Sequence, residues 1–289
     1  MDYIADNTIE EQQRAEFPLH DLGDAFFALT TIEDGDEHFF NGMHRHDFYE
    51  LLWFTDIKPE QAHYIDFNKY PIAPNQVFLL LPDQVHSMDQ REKCGFLMAI
   101  SKDFFERLIG NDIFKLFRYS TNFSITIPDC RLSVLSMLLD LIRIEYDDAK
   151  RPAILESYLR SWFLHCIDFQ NETGDLASRD PRLQILLESI ETNYRKQRRA
   201  DFYANELSLS AKRLNELTRS SFGKTISQMI NERLILEAKR EIGSVRKPIK
   251  EISYELGFSE PAYFTRFFGK QTGYAPEEFR KRMAVLYEG

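Results

Sequence analysis

The 289-residue chain has 3 cysteines and 2 tryptophans, no low-complexity tract, and no apolar run long enough to cross a bilayer. Cysteines this few, odd in number and widely spaced (Cys94, Cys130, Cys166) cannot make a disulfide framework. Their apolar neighbours in sequence predict buried, reduced thiols rather than a zinc site or a nucleophile. The missing apolar run excludes a membrane-spanning helix. The first residues, from Met1-Asp2-Tyr3 to Glu10-Glu11, are acidic and polar, unlike a signal peptide, so the expectation is a cytoplasmic protein with no membrane partner. Basic residues are in deficit as well, 36 Lys+Arg against 46 Asp+Glu, a net charge of −10. The deficit is confined to one part of the chain. From Arg179 onward there are 21 basic and 15 acidic residues, a net of +6, whereas the first 178 residues hold 15 basic and 31 acidic, a net of −16. Only the carboxyl-terminal part is suited to neutralising phosphates.

That basic part contains one pattern twice. Glu206-Leu207-Ser208-Leu209-Ser210 matches Glu255-Leu256-Gly257-Phe258-Ser259 by residue type, and Leu214, Leu217 and Gly223 match Phe264, Phe267 and Gly273. Each copy predicts a short helix, a turn residue that tolerates a left-handed backbone (Ser208, Gly257), and an apolar plug (Leu209, Phe258) between the two helices. Ser210 and Ser259 are expected N-caps, and Pro261 suits a first helical turn. Apolar residues at three- and four-residue spacing then form the buried side of a second helix, which Gly223 or Gly273 stops. One such corner occurs in many proteins that never meet DNA; two at this spacing favour DNA binding. Thr225 is expected to cap an intervening amphipathic helix, Ile226 to Ile242, with Met229, Ile230, Leu234 and Ala238 at helical spacing.

Residues 180 to 283, including Ile249 to Phe268 and the closing Gly273-Tyr-Ala-Pro-Glu-Glu-Phe-Arg280, resemble the DNA-binding domain of the AraC family of bacterial transcription regulators. The resemblance implies an all-α domain with two helix-turn-helix motifs, held by a rigid connector so that both recognition helices enter one face of promoter DNA about one turn apart. It makes Lys212, Arg213, Asn215 and Glu216, with Ala262, Thr265 and Arg266, candidates for base edges, and Arg219, Lys224 and Lys270 candidates for phosphates. Two positions depart from the family pattern. Thr218 stands where an aromatic is usual, and Glu216 puts a carboxylate near phosphates, which is favourable only if it accepts from a cytosine amine.

The length suffices for two domains. The expected division is residues 1–171, a polar linker at 172–179, and 180–289, opened by Asp180-Pro181 as N-cap and first-turn proline. Asp47 to Thr55, His63 to Phe67, Val77 to Leu81 and Gly95 to Ile100 read as strands, and Asp103 to Ile109, Arg131 to Tyr146 and Pro152 to Phe169 as helices. This α+β half resembles the cupin-like β-barrel and dimerisation helices of such regulators.

Within it, His44, His46 and Glu50 share strand parity, and Pro82-Asp-Gln-Val-His86 follows. Three histidines and one carboxylate form the donor set of cupin metalloenzymes. Against that, Gln84 stands where such motifs carry glycine. The expectation is therefore no metal, no cofactor and no catalytic residue, with His44, His46, Glu50, Trp53 and His86 serving an effector pocket. Phe48, Tyr49, Phe54 and Phe78 are expected in the core. The function expected from the whole sequence is a homodimeric, effector-controlled transcription regulator, not an enzyme, with RNA polymerase a candidate further partner. The alternatives are a metal-dependent cupin enzyme fused to a DNA-binding module and a constitutive dimeric binder.

Overall fold

The computed structural model describes residues 19–35, 40, 42–108, 123–172, 180–244 and 247–287. Its first part is β-rich, with β1 (Leu19–His20), β2 (Phe27–Thr31), β3 (Arg45–His46), β4 (Tyr49–Ile57), β5 (Ala62–Ile65), β6 (Asn68–Pro71), β7 (Gln76–Leu80), β8 (His86–Ser87), β9 (Lys93–Ile100) and β10 (Phe123–Thr126). An antiparallel sheet runs β10-β7-β4-β9-β2, a second runs β6-β5-β8, and β1 pairs with β3 in parallel. The four strands expected from sequence are present with shifted ends. The additional ones are short, edge-placed or polar and carry little apolar signal.

β4 lies in the middle of the larger sheet and is buried on both faces, which is why Leu51 to Phe54 is continuously hydrophobic instead of alternating. Leu51 and Trp53, with Val77, Leu79, Met98 and Ile100, face a helical layer formed by residues 102–108 (α1), α2 (Asp129–Asp147) and α3 (Pro152–Glu172). Leu52, Phe54, Phe78 and Leu80 face the other way and pack with Ile65, Ile72 and Met88 between the two sheets. Burial of side chains of this size contributes roughly 1.5–3 kcal/mol each. Arg151 closes the α2–α3 turn, donating from its backbone N–H and guanidinium to buried Glu145.

The expected linker, 172–179, lies outside the described residues except for Glu172, which ends α3. Ile109, the expected end of α1, also lies outside them. The second part is helical: α4 (Pro181–Asn193), α5 (Ala200–Glu206), α6 (Ala211–Phe222), α7 (Ile226–Ser244), α8 (Ile249–Glu255), α9 (Pro261–Thr272) and α10 (Pro276–Tyr287). Local signals account for most ends. Asp180 accepts from Arg182 N with Pro181 in the first turn, Ser210 accepts from Arg213 N, and Gly223 and Gly273 end α6 and α9 in left-handed conformation. Thr225 and Gln228 cap α7 reciprocally: Gln228 N donates to Thr225 Oγ1 at 3.2 Å, and Thr225 N to Gln228 Oε1 at 2.8 Å. Ser259 does not cap α9; Glu260 takes the N-cap position without a side-chain bond.

The cysteine expectation needs correction. Cys166 is buried, but Cys94 and Cys130 are exposed, because Cys94 takes the outward side of β9 and Cys130 lies in the first turn of α2. All three are free thiols. Among the described residues no helix is long and apolar enough to cross a membrane.

Candidate functional site

The two repeated patterns form two similar helix pairs, α5–α6 and α8–α9. Their turns require a left-handed residue, with φ of 54° at Ser208 and 76° at Gly257. At Gly257 a Cβ would also lie 2.0 Å from the Arg195 carbonyl oxygen, so only glycine fits that close approach. Phe258 is buried in the angle of its pair and Leu209 half-buried in the other. Leu214, Phe264 and Phe268 seat the second helices on the core.

On the outward faces, Lys212, Arg213, Glu216 and Arg219 of α6 are exposed, as are Ala262, Thr265, Arg266 and Lys270 of α9. Arg213 donates to Glu216 at 3.0 Å, so the carboxylate that departs from the family pattern is locally neutralised. Lys224 is paired with Glu232 at 2.7 Å. Asn215 also ties the scaffold: its amide donates to the Ala211 carbonyl and its Oδ1 accepts from Ile226 N at 3.1 Å, fixing α6 to the start of α7. Thr218 is fully buried, donating to the Asn215 carbonyl, and fills the place of an aromatic with a smaller side chain. Several other arginines serve the scaffold: Arg233 is bidentate to Glu191 and also binds Glu237, Arg198 lies over Phe258 and donates to the Leu256 carbonyl, and Arg280 donates to the Ile242 and Lys247 carbonyls.

The sheet part touches α7 directly. Asp66, in the β5–β6 turn and 2 % exposed, receives both Nε and Nη2 of Arg240 at 2.7 Å. Gln84 Nε2 donates to the same carboxylate at 2.8 Å while its Oε1 accepts from Leu81 N at 2.6 Å. Met43 and Val85 extend the helical core, and Phe67 meets Phe279 edge to face at 5.5 Å. Beside this contact an open cleft of about 1170 Å³ is lined by Arg45, Tyr49, Lys102, Arg233 and Lys239, among others. Sequence gave no signal for this junction, whose central pair is separated by 174 positions.

The histidines also converge. His44, His46, His63, His86 and Glu50 are all buried. His44 and His46 do not continue into β4: a bend at Asp47–Phe48 intervenes, and His44 pairs with His86 across an isolated bridge. Trp53 is not part of this group. Its position in β4 is odd where Glu50 is even, so it faces the helical layer and packs on Trp162 at 5.9 Å. Phe48, Phe54 and Phe78 are core as expected, while half-buried Tyr49 stacks on Phe105 at 3.7 Å.

Burial disfavours charge throughout the cluster. It pushes His44 down to about 4 and His46 and His63 to about 3, holds His86 well below 6.5, and pushes Glu50 up to about 8. The histidines therefore contribute stability above pH 6.5 that is lost as pH falls, since the unfolded chain takes up protons the folded one refuses. Glu50 acts oppositely, stabilising at low pH and losing its contribution as pH rises toward 8, but it is one group against four. The melting temperature is expected to drop by at least about 5 °C between about pH 7 and pH 5. A flat differential scanning profile over that range would contradict a buried neutral cluster.

Two family models match. One described as a helix-turn-helix domain covers residues 203–282, and one described as an AraC-like ligand binding domain covers residues 26–96. The arabinose operon regulatory proteins of Salmonella typhimurium and Escherichia coli are each 35% identical over 77 residues, which is 27% of this chain and 27% and 26% of theirs. The chain thus aligns with only about a quarter of the length of these two relatives. The HTH-type transcriptional activator RhaS of Mannheimia succiniciproducens is 24% identical over 255 residues, 82% of this chain and 88% of its own. Among solved structures, ToxT from Vibrio cholerae has a TM-score of 0.46 at 18% identity, covering 92% of this chain and 100% of that one.

Proposed function

We propose that this chain, which belongs to the AraC family by both its matched domains, is a cytoplasmic, homodimeric transcription regulator whose promoter binding is set by a small molecule held in its amino-terminal domain. The observation that carries this is the pair of like helix corners joined by α7, with α6 and α9 each presenting basic residues outward. In this reading the corners are two helix-turn-helix motifs entering successive major-groove segments. Arg266, Lys212 and Arg213 reach base edges, with Glu216, Ala262 and Thr265 beside them, and Arg219, Lys224 and Lys270 meet phosphates. The division between the two domains falls after Glu172, which ends α3, and before Asp180, which caps α4. The sheets form a cupin-like barrel, and effector contacts come from His44, His46, Glu50 and His86. No step of this function needs catalysis. RNA polymerase is a further partner through which bound regulator acts. Fluorescence anisotropy on fragments upstream of neighbouring genes tests it: tight binding to one fragment over scrambled DNA at fixed salt is expected, and equal binding to both would contradict it.

The dimer contact is assigned to α2. Met137, Leu141 and Ile144 are exposed at helical spacing along it, with Leu164 of α3 also exposed. Placing a charge in such a contact leaves it desolvated, so Ile144→Glu is expected to weaken dimerisation by at least about 100-fold. Sedimentation of the full-length protein checks this. An unchanged dimer would move the interface elsewhere.

A further inference from the structure

The two helix pairs are tied together at a place other than the connector α7. The loop between α4 and α5, residues 194–199, precedes the first pair in the chain yet reaches the turn of the second. On its near side the loop is fixed twice. Tyr203 Oη of α5 donates to the Gln197 carbonyl at 2.8 Å, and Arg195 Nη2 donates to Glu237 of α7 at 2.6 Å. On its far side Arg198 Nη2 donates at 2.8 Å to the carbonyl of Leu256, where α8 ends and backbone acceptors lack helical partners. The Arg198 guanidinium carbon also lies 3.8 Å from the centre of the Phe258 ring. Between these contacts the Arg195 carbonyl fills the space that a Cβ on Gly257 would need.

Phe258 passes the contact on to α9. Its ring meets Tyr263, Phe264 and Phe267 at centroid distances of 5.7, 5.1 and 5.3 Å, so the plug that Arg198 covers is also the surface on which the first turns of α9 rest. The corresponding plug of the first pair, Leu209, has no ring for a cation to stack on. A half-buried guanidinium, planar and able to stack and donate at once, suits the double contact; an ammonium group does not reproduce it.

We propose that Arg198 is a positioning residue: through Leu256 and Phe258 it fixes α9 relative to α6, and so sets how strictly the protein reads the spacing between its two DNA segments. This role rests on the reading of α6 and α9 as recognition helices. The Arg198 contact closes a path from α5 through the loop to the α8–α9 turn, and with α7 this makes a ring of contacts that resists rotation of one pair against the other. DNA couples distance to direction, since one added base pair turns the second segment by about a tenth of a helical turn. A stiff frame cannot follow that turn, whereas a loosened one can.

Fluorescence anisotropy with the full chain at fixed salt tests this on the cognate two-segment site and on duplexes with one base pair added to or removed from the spacer. Wild type is expected to lose at least about 100-fold on either altered spacer, because it then engages one segment only. Arg198→Met, and Phe258→Leu, which copies the plug of the first pair, should lose under about 10-fold on the same duplexes. Arg198→Lys keeps the charge and should tolerate altered spacers as Arg198→Met does, which separates positioning from a phosphate contact. Circular dichroism identifies the folded variants; if the others misfold, Arg198→Lys still decides. A spacer penalty equal to that of wild type in a folded variant overturns the positioning role. So does a loss in Arg198→Met that is uniform across spacers and restored in Arg198→Lys. A wild type indifferent to spacer length would instead refute two-headed binding, and this role with it.

Discussion

Replacing Arg240 with alanine is expected to destabilise the full chain by about 3 to 5 kcal/mol, the cost of stranding one member of a buried ion pair. Asp66 is 2 % exposed and Arg240's side chain 13 % exposed, and their bidentate contact at 2.7 Å joins the sheet part to α7. The carboxylate would keep Gln84 Nε2 as a donor but lose its cation. Because α7 sets the spacing between α6 and α9 in the proposed function, loosening it from the sheet part should also change the response of DNA binding to effector. Urea unfolding of wild type, Arg240→Ala and the control Lys250→Ala, on the exposed surface of α8, measures the first effect. A loss below about 1 kcal/mol for Arg240→Ala would mean that water competes successfully for the pair.

Arg266→Ala is expected to lose about 1 to 3 kcal/mol on the cognate site and to relax preference at one base pair, as removal of a bidentate guanine contact does. Arg266 is exposed on α9, four positions before Lys270 in the last turn of the same helix. Lys270→Ala should instead weaken cognate and scrambled DNA alike and reduce the salt slope by about one unit. Anisotropy on both duplexes separates the two roles; equal losses on both for Arg266→Ala would remove it from base reading.

What could be read from sequence was local. The left-handed turns at Ser208 and Gly257, the caps at Asp180, Ser210 and Thr225, and the stops at Gly223 and Gly273 each depend on a few neighbouring residues, and the structure shows all of them. What failed depended on distant partners. The bond from the N–H of Ile226 to Asn215 Oδ1 spans 11 residues and has no local signature. The Asp66–Arg240 contact has no periodic signature at all. Gln84 departs from the histidine motif, and the role it has instead, donating to Asp66, depends on a partner 18 positions away. Trp53 has strand parity opposite to Glu50, so the alternation along β4 alone separates it from the histidines. Cys94 and Cys130 are exposed despite apolar sequence neighbours, because neighbours on a strand or helix do not fix which face a residue takes.

The central claim, two recognition helices on one rigid frame, is tested most directly by selecting bound duplexes from a random pool with the purified full chain at near-physiological salt and sequencing them. The expected result is an enriched motif with two conserved segments about 10 bp apart, the spacing that puts both in the major groove on one face. In Arg266→Ala one of those segments should lose its preference while the other persists. A single short segment, or no enrichment over the starting pool, would contradict the account.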